Sequence, residues 1–445
     1  MFTLRKKITA ISIATIIGAT FVSSVMAEEP PVMDYEVLIN DAYGDPFHSV
    51  LVDPYGNTIT VGSTPARDEY IQPNTIMVAK HDAGGNLLWK DYTPRSESLN
   101  SGLDKAIHTK LDSKGNLYIL FSGGTNCGEL VKFNHAGERS VISEATGCLY
   151  VDLRIDENDN LYVFNDRATG GGYVTRYSQD AVEWSSAFGK SRSYRGIQDI
   201  ATDSAGNVYL YGHTWTRSTT TPLIVKLDSA GNYLWEASFS SETTVQLKAK
   251  NVLIDANDQI FLTAHAIGEV HLAKYNSDGT QLFQHKHEDP DLASFAPKSF
   301  INAQGDVTTF TTTRPEVWSR ANQFDLLFLK YTNSGEGVYH KQIDFGYSER
   351  TAYTYIANDK SDNFYMAMGG ASITKLDPMG EVVWQTPAIA NYAYRDLELS
   401  NDGKLVAGGL YSDYGFGSSN NHNVDAIVHA YDVSTPIVCV NEQLQ

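Results

Sequence analysis

A two-part phrase recurs eight times along this 445-residue chain, and such an internal period constrains the fold more tightly than any other feature. The first part is a turn of the form Asp-x-x-Gly-Asn-x-Tyr. It is clearest at residues 112–118 (DSKGNLY) and 203–209 (DSAGNVY), with variants starting at Asp53, Asp156, Asp255, Asn302, Asp359 and Ser400. The second part, Lys-Leu-Asp-x-x-Gly-x-x-x-Trp, starts at Lys80, Lys132, Arg176, Lys226, Lys274, Lys330, Lys375 and His429, and is most complete at 226–235 (KLDSAGNYLW). Each repeat is then one supersecondary unit that buries its apolar face only against its neighbours.

Successive first turns lie 41 to 59 residues apart, room for four short strands and their connections but not for an added helix. The segments between turns are β-rich: 117–121 (LYILF), 207–211 (NVYLY), 223–227 (LIVKL), 259–262 (QIFL) and 325–331 (DLLFLKY). Gly followed by Asn or Asp supplies the positive φ of a tight hairpin, and the leading Asp accepts hydrogen bonds from the turn's own amides. Trp89, Trp184, Trp235 and Trp384 recur after the second turn, with Phe283 and Tyr339 in two other repeats, a recurrence that fits packing between repeats better than six separate binding sites. The expected fold is all-β: a β-propeller of eight four-stranded blades, with seven as the alternative. Residues 35–39 (YEVLI) read as an outer strand that completes the last blade, and residues 437–440 compete for that role.

The pairing of these two turns resembles the secreted bacterial β-propeller repeats, or SBBP repeats, across nearly all of the chain after residue 27. That resemblance implies an exported propeller, and the family is named for seven blades where eight phrases are countable here. The second turn is also similar to the repeat of quinoprotein-type propellers. Those enzymes' cofactor-site residues have no recognisable counterparts in this chain, so their redox chemistry is not implied.

Residues 1–27 form a separate module. Arg5, Lys6 and Lys7 precede a mostly apolar run, and Val25-Met26-Ala27 offers small residues for signal-peptide cleavage. The expected mature chain is a single propeller domain, 28–445, periplasmic or secreted, with no further run long enough to span a membrane; a retained anchor is the alternative. Loss of the three cations takes the net charge from -19 to -22, which argues against nucleic acid as a partner. Of the three Cys, Cys127 and Cys148 flank one second turn and are the expected disulfide, leaving Cys439 free; three unpaired thiols are the alternative.

If both Gly turns are hairpins, they share one face of the propeller. The loops between the second and third strands of each repeat and the crossings between repeats share the other, where lengths vary and function concentrates. Candidate ligand-binding residues there are Trp215 and Arg217, Trp318 and Arg320, and the aromatic group Tyr411, Tyr414 and Phe416, together with Arg192, Arg195, Arg350 and Arg395 in the crossings. Several Arg on one face of an acidic protein suit an anionic ligand, and exposed aromatics suit sugar rings or a partner's side chains.

His213 and His265 fall at equivalent positions, and with His271, His285 and His287 they raise a metal site, but no HExxH motif accompanies them and none is expected. Calcium at the Asp-rich turns 156–160 and 255–259 is the alternative to having no cofactor, yet those turns lack the spaced oxygen ligands of an EF-hand loop. There is no G-x-S-x-G elbow, P-loop or dinucleotide fingerprint. The expected function is therefore binding or scaffolding, with a protein or polysaccharide recognised by the loop face. The alternative is an extracellular carbohydrate-active hydrolase or lyase with its carboxylates at the central channel.

Overall fold

In a computed structural model, the described residues are 3–5, 28–39, 47–64, 75–93, 107–121, 129–144, 149–166, 172–188, 194–215, 219–239, 246–289, 292, 297–313, 325–343, 355–368, 372–412 and 424–434. They form strands and turns, with no helix among them. Eight antiparallel four-stranded blades make the fold an eight-bladed β-propeller, as the eight phrases imply. Blades 1 to 7 are simple meanders with strands a, b, c and d in chain order, over residues 47–93, 107–144, 149–187, 194–238, 248–288, 298–343 and 355–385.

Blade 8 is built differently. Strands Tyr392–Leu399, Lys404–Ser412 and Val424–Asp432 supply a, b and c, and Met33–Ile39 from the other end of the chain pairs antiparallel with Val424–Asp432 as strand d. Strands c and d of blade 8 therefore come from opposite ends of the chain and no hairpin joins them. The YEVLI strand takes the closing role, and residues 437–440 lie outside the described residues. Thr3–Arg5, within the segment expected to be removed, pairs along the outer side of Met33–Ile39.

The chain divides into two compact units. Blades 2 to 6 make up one, residues 96–352, and blades 7, 8 and 1 the other.

Within the five-blade unit, blade 4 shows what the repeat encodes. The Asp203 carboxylate accepts the amides of Ala205 and Asn207 and the Asn207 side chain, closing the a–b turn. The Tyr209 hydroxyl donates to the same carboxylate at 3.0 Å, and Lys226 Nζ lies 3.2 Å from it. In the register Tyr209 faces Lys226, which faces Trp235, so one row crosses strands b, c and d. Lys226 Nζ sits over the Tyr209 ring at 4.8 Å, and the Trp235 ring meets Tyr209 edge-on at 6.0 Å.

The row also reaches outward. Lys226 Nζ and Trp235 Nε1 both donate to the Ser277 carbonyl in the c–d turn of blade 5, each at 3.1 Å. Arg176 and Trp184 of blade 3 do the same to Ser229 of blade 4. The fit leaves no space for a side chain: a Cβ on Gly231 would lie 2.6 Å from Trp184 Cδ2, and Gly231 has φ +82°. Within this unit each of these phrases thus writes one half of an interface that the next phrase completes.

Where the a–b turn lacks Gly, an Asp takes the left-handed position: Asp159, Asp258 and Asp362 have φ of 61°, 58° and 62°. In two of these turns the carboxylate reaches back one blade. Asp159 accepts the amide and hydroxyl of Ser113, and Asp258 those of Ser204.

The a strands are linked as well. Arg154 Nη2 of blade 3 lies 3.0 Å from Asp199 Oδ1 of blade 4, and Asp199 Oδ2 accepts the Val252 amide of blade 5 at 3.1 Å.

The three-blade unit reproduces this interface with other residues. Asp396 Oδ2 of blade 8 accepts the Val50 amide of blade 1 at 3.0 Å. Tyr35, on the strand that closes blade 8, packs on the blade 1 turn glycine so closely that a Cβ on Gly85 would lie 2.8 Å from Tyr35 Cδ2. Lys404 Nζ lies over the Tyr35 ring and donates to the carbonyls of Gly56 and Ala83. Tyr35 and Lys404 therefore take the parts that Trp235 and Lys226 play in blade 4, the lysine coming from strand b rather than strand c. A second tie is buried beside them: His429 bonds Glu36 through Nε2 at 3.1 Å and the Tyr394 hydroxyl through Nδ1 at 2.7 Å.

Candidate functional site

Because the a–b and c–d hairpins share one face, strands a begin and strands b end at the opposite one. The two faces treat their ionisable groups differently. On the hairpin face the carboxylates serve the turns and the nearby lysines. Lys80 Nζ of blade 1 lies 2.8 Å from Asp53 Oδ2, with both side chains almost wholly buried. Burial opposes ionisation of Asp53, but hydrogen bonds from Lys80 and Asn57 outweigh it and hold the carboxyl below its usual range.

A concavity on that face, with a volume of about 290 Å³, lies between blades 7 and 8. It is lined by Asp359, Asn363, Tyr365 and Lys375 on one side and Ser400 and Asp402 on the other. It opens where blade 8 lacks the c–d turn that would receive Lys375. That lysine instead meets Glu28 at 3.0 Å, the residue expected to begin the mature chain. Nothing in the sequence motifs marks this hollow, because it arises from a hairpin that is not there.

On the loop face, the a and b strand ends of blades 4 and 5 gather positive and neutral nitrogen groups. In blade 4 Arg195 stands opposite His213, next to a bulge in which Gly196 has φ +69°. Gly212 lies so near this bulge that a Cβ there would be 2.3 Å from the Gly196 carbonyl oxygen, so the His213 strand closes tightly on its neighbour. In blade 5 Lys248 stands opposite His265, the positional twin of His213.

Strand a of blade 5, which carries Lys248, packs on strand b of blade 4, which carries His213. His265 is pushed down to about 4, first by burial and then by Lys248 and Lys250; His213 is lowered by burial and by the same Lys248. Both imidazoles are thus neutral at pH 7. Their Nδ1 atoms are buried without a hydrogen-bond partner. Lys248 is exposed and Lys250 half-buried, and no described acid pairs with either. Beyond His265, the b–c turn of blade 5 presents Ile267 at 77% exposure.

The remaining residues singled out in the sequence divide into two groups. Trp215 ends strand b of blade 4, opposite Thr220. Tyr411 packs against Tyr392 at 4.9 Å between ring centroids in blade 8, and Arg395 lies half-buried on strand a of that blade. Arg192, Arg217, Trp318, Arg320, Arg350, Tyr414, Phe416, Cys127, Cys148 and Cys439 lie outside the described residues. His271 is turned to other work: it bonds Glu269 at 2.9 Å inside blade 5. His285 stacks on Tyr331 of blade 6. Among the described residues, no group of three His, Cys, Asp or Glu is arranged to hold a metal ion. Lys248 and Lys250 went unnoticed in the sequence because single lysines in a strand carry no motif; their signal was their register opposite His265.

Fold and site together define an eight-bladed β-propeller with a cationic end on its loop face. Among solved structures the chain is similar to BamB from Moraxella catarrhalis, at 11% identity and TM-score 0.52, covering 91% of this chain and all of that one. It is also similar to the Dos1 propeller, at 11% identity and TM-score 0.56, covering 88% of this chain and 94% of that one. At such identity the likeness shows the fold alone. No protein-family model and no curated protein matches the chain.

Proposed function

We propose that this protein is an exported binding or scaffold propeller, without a catalytic role, that recognises a protein or polysaccharide through its loop face. The observation that carries the reading is the contrast between its faces. Carboxylates and lysines of the hairpin face are engaged in holding blades together, whereas Lys248, Lys250, His213 and His265 at the loop face have polar capacity that the described fold does not use. Unused polar capacity on a rigid scaffold is the ordinary mark of a recognition surface. The similarity to other propellers is compatible with this reading, and the apolar run of residues 8–25 behind Arg5, Lys6 and Lys7 supports export. No cofactor enters the proposal.

The test is a binding screen of the exported chain against a glycan array and a cell-envelope protein extract, with a Trp215, Trp318 and Tyr414 triple Ala variant alongside. Specific binding that is lost in the folded triple variant supports the reading. Turnover of an arrayed glycan, or binding that both this variant and a Lys248→Ala/Lys250→Ala variant retain in full, overturns it.

A further inference from the structure

The loop-face end of blades 4 and 5 carries a more specific inference, which rests on the binding reading above. Four observations converge there. Lys248 stands opposite His265 in the register of blade 5, and the strand that carries it packs on the His213 strand of blade 4, so these groups share one locality. His265 is only 9% exposed, yet its Nδ1 has no partner. Lys248 and Lys250 have no described counter-ion in a chain of net charge -19. An exposed isoleucine, Ile267, stands two residues past His265 on the adjoining turn.

The second and third are unfavourable in the free protein. Unpaired buried nitrogen costs about 1–3 kcal/mol, and clustered cations repel. An anionic group between the lysines relieves that repulsion. The acidity of the whole chain disfavours long polyanions, because every further negative charge on the ligand meets a repulsive field. A ligand with one or two acids and an apolar neighbour escapes that repulsion and covers Ile267. Sugar rings favour exposed aromatic platforms, and the exposed apolar side chain described beside these lysines is aliphatic.

We propose that the Lys248, Lys250 and His265 cluster, with Ile267, is a docking site for a short acidic segment of a partner protein, a carboxylate meeting the lysines and an aliphatic side chain meeting Ile267.

The test selects a random dodecapeptide library on the whole exported chain and measures the winners by fluorescence anisotropy. Winners are expected to carry Asp or Glu next to Leu, Ile or Val and to weaken as salt rises. A Lys248→Ala/Lys250→Ala variant should lose at least about tenfold in affinity, or about 1.4 kcal/mol, and Ile267→Ser a smaller factor, with unchanged melting curves. Winners without acidic residues, full binding by the lysine variant, or displacement of the peptides by oligogalacturonate but not by their own unlabelled copies would each overturn the proposal. The Trp215, Trp318 and Tyr414 variant, run beside it, separates the two levels. Ligands lost there but kept by the lysine variant remove this site and leave the loop-face reading standing; ligands kept by both remove the two together.

Discussion

Asp258 holds a left-handed backbone and receives both the amide and the hydroxyl of Ser204 from the preceding blade, at 2.9 and 2.6 Å. A position that belongs to Gly in five of the eight repeats is here occupied by a residue that exchanges local strain for a link between blades. Asp258→Ala keeps the strain and loses the link, so it should destabilise by roughly 2 kcal/mol. Asp258→Gly relieves the strain while losing the same link and should lie near neutral. Denaturant titration of both variants, with Ser204→Ala as the third corner of a double-mutant cycle, checks the order. Equal losses for Ala and Gly would show that the left-handed backbone stores no strain at this position and that the loss comes from the carboxylate link alone.

The recurring aromatic of strand d is not equally buried in every blade. Trp384 is 3% exposed and packs with Tyr394, Leu405 and Tyr431 of blade 8, whereas Trp235 is only half-buried. Trp384→Ala should therefore cost about 3–5 kcal/mol, and Trp235→Ala less, rather than the full cost of a buried Trp expected from its place in the repeat alone. Thermal melts of the two variants decide the ranking.

Lys80 and Asp53 form the most enclosed ion pair of the hairpin face. Lys80→Met leaves a carboxylate buried without its cation and should destabilise by about 3–5 kcal/mol. The Lys80→Met/Asp53→Leu double variant should recover a large part of that loss. Equilibrium unfolding of all three proteins measures it, and a double variant no better than the single one would contradict a charge-based explanation.

Acid should act through histidine before it acts through most carboxylates. Burial lowers His81 and His265 from 6.5 to about 4. Between those values the unfolded chain binds protons that the folded chain refuses, so stability rises with pH across that window. The benefit is complete above about pH 6.5 and is lost as pH falls toward 4, roughly 3 kcal/mol for each residue. Carboxylates held low, such as Asp53, add their loss at more acid pH. Stability measured against pH should show a shallower slope from pH 4 to 6.5 in His265→Gln than in the wild type. An unchanged slope would show that His265 is not buried in its neutral form.

Much of this architecture is legible in the residues themselves. Turn chemistry is local, so Asp203, Gly206 and Asn207 announce a hairpin without any tertiary information. Eight such turns count the blades, and the isolated β run at residues 35–39 has no partner nearby, which leaves the far end of the chain to provide one. The row from Tyr209 through Lys226 to Trp235 was visible only in part. Its aromatics stood out, but the lysine's three partners, one of them on the next blade, depend on register. The cationic cluster was less legible still. Arg195 and the two equivalent histidines were recognisable, whereas Lys248 gains its meaning from the blade packed beside it. The hollow near Glu28 is produced by an omission, and a repeat search finds what recurs rather than what is left out.

Glu36 and His429 are 393 residues apart in sequence and hydrogen-bonded in space. Among the first strands to leave the ribosome is therefore one of the last to find its partner, and blade 8 cannot be finished until the final tenth of the chain exists. A chain cut short anywhere before Val424 presents Met33–Ile39 as an open sheet edge, a ready signal by which incomplete copies can be told from complete ones and removed.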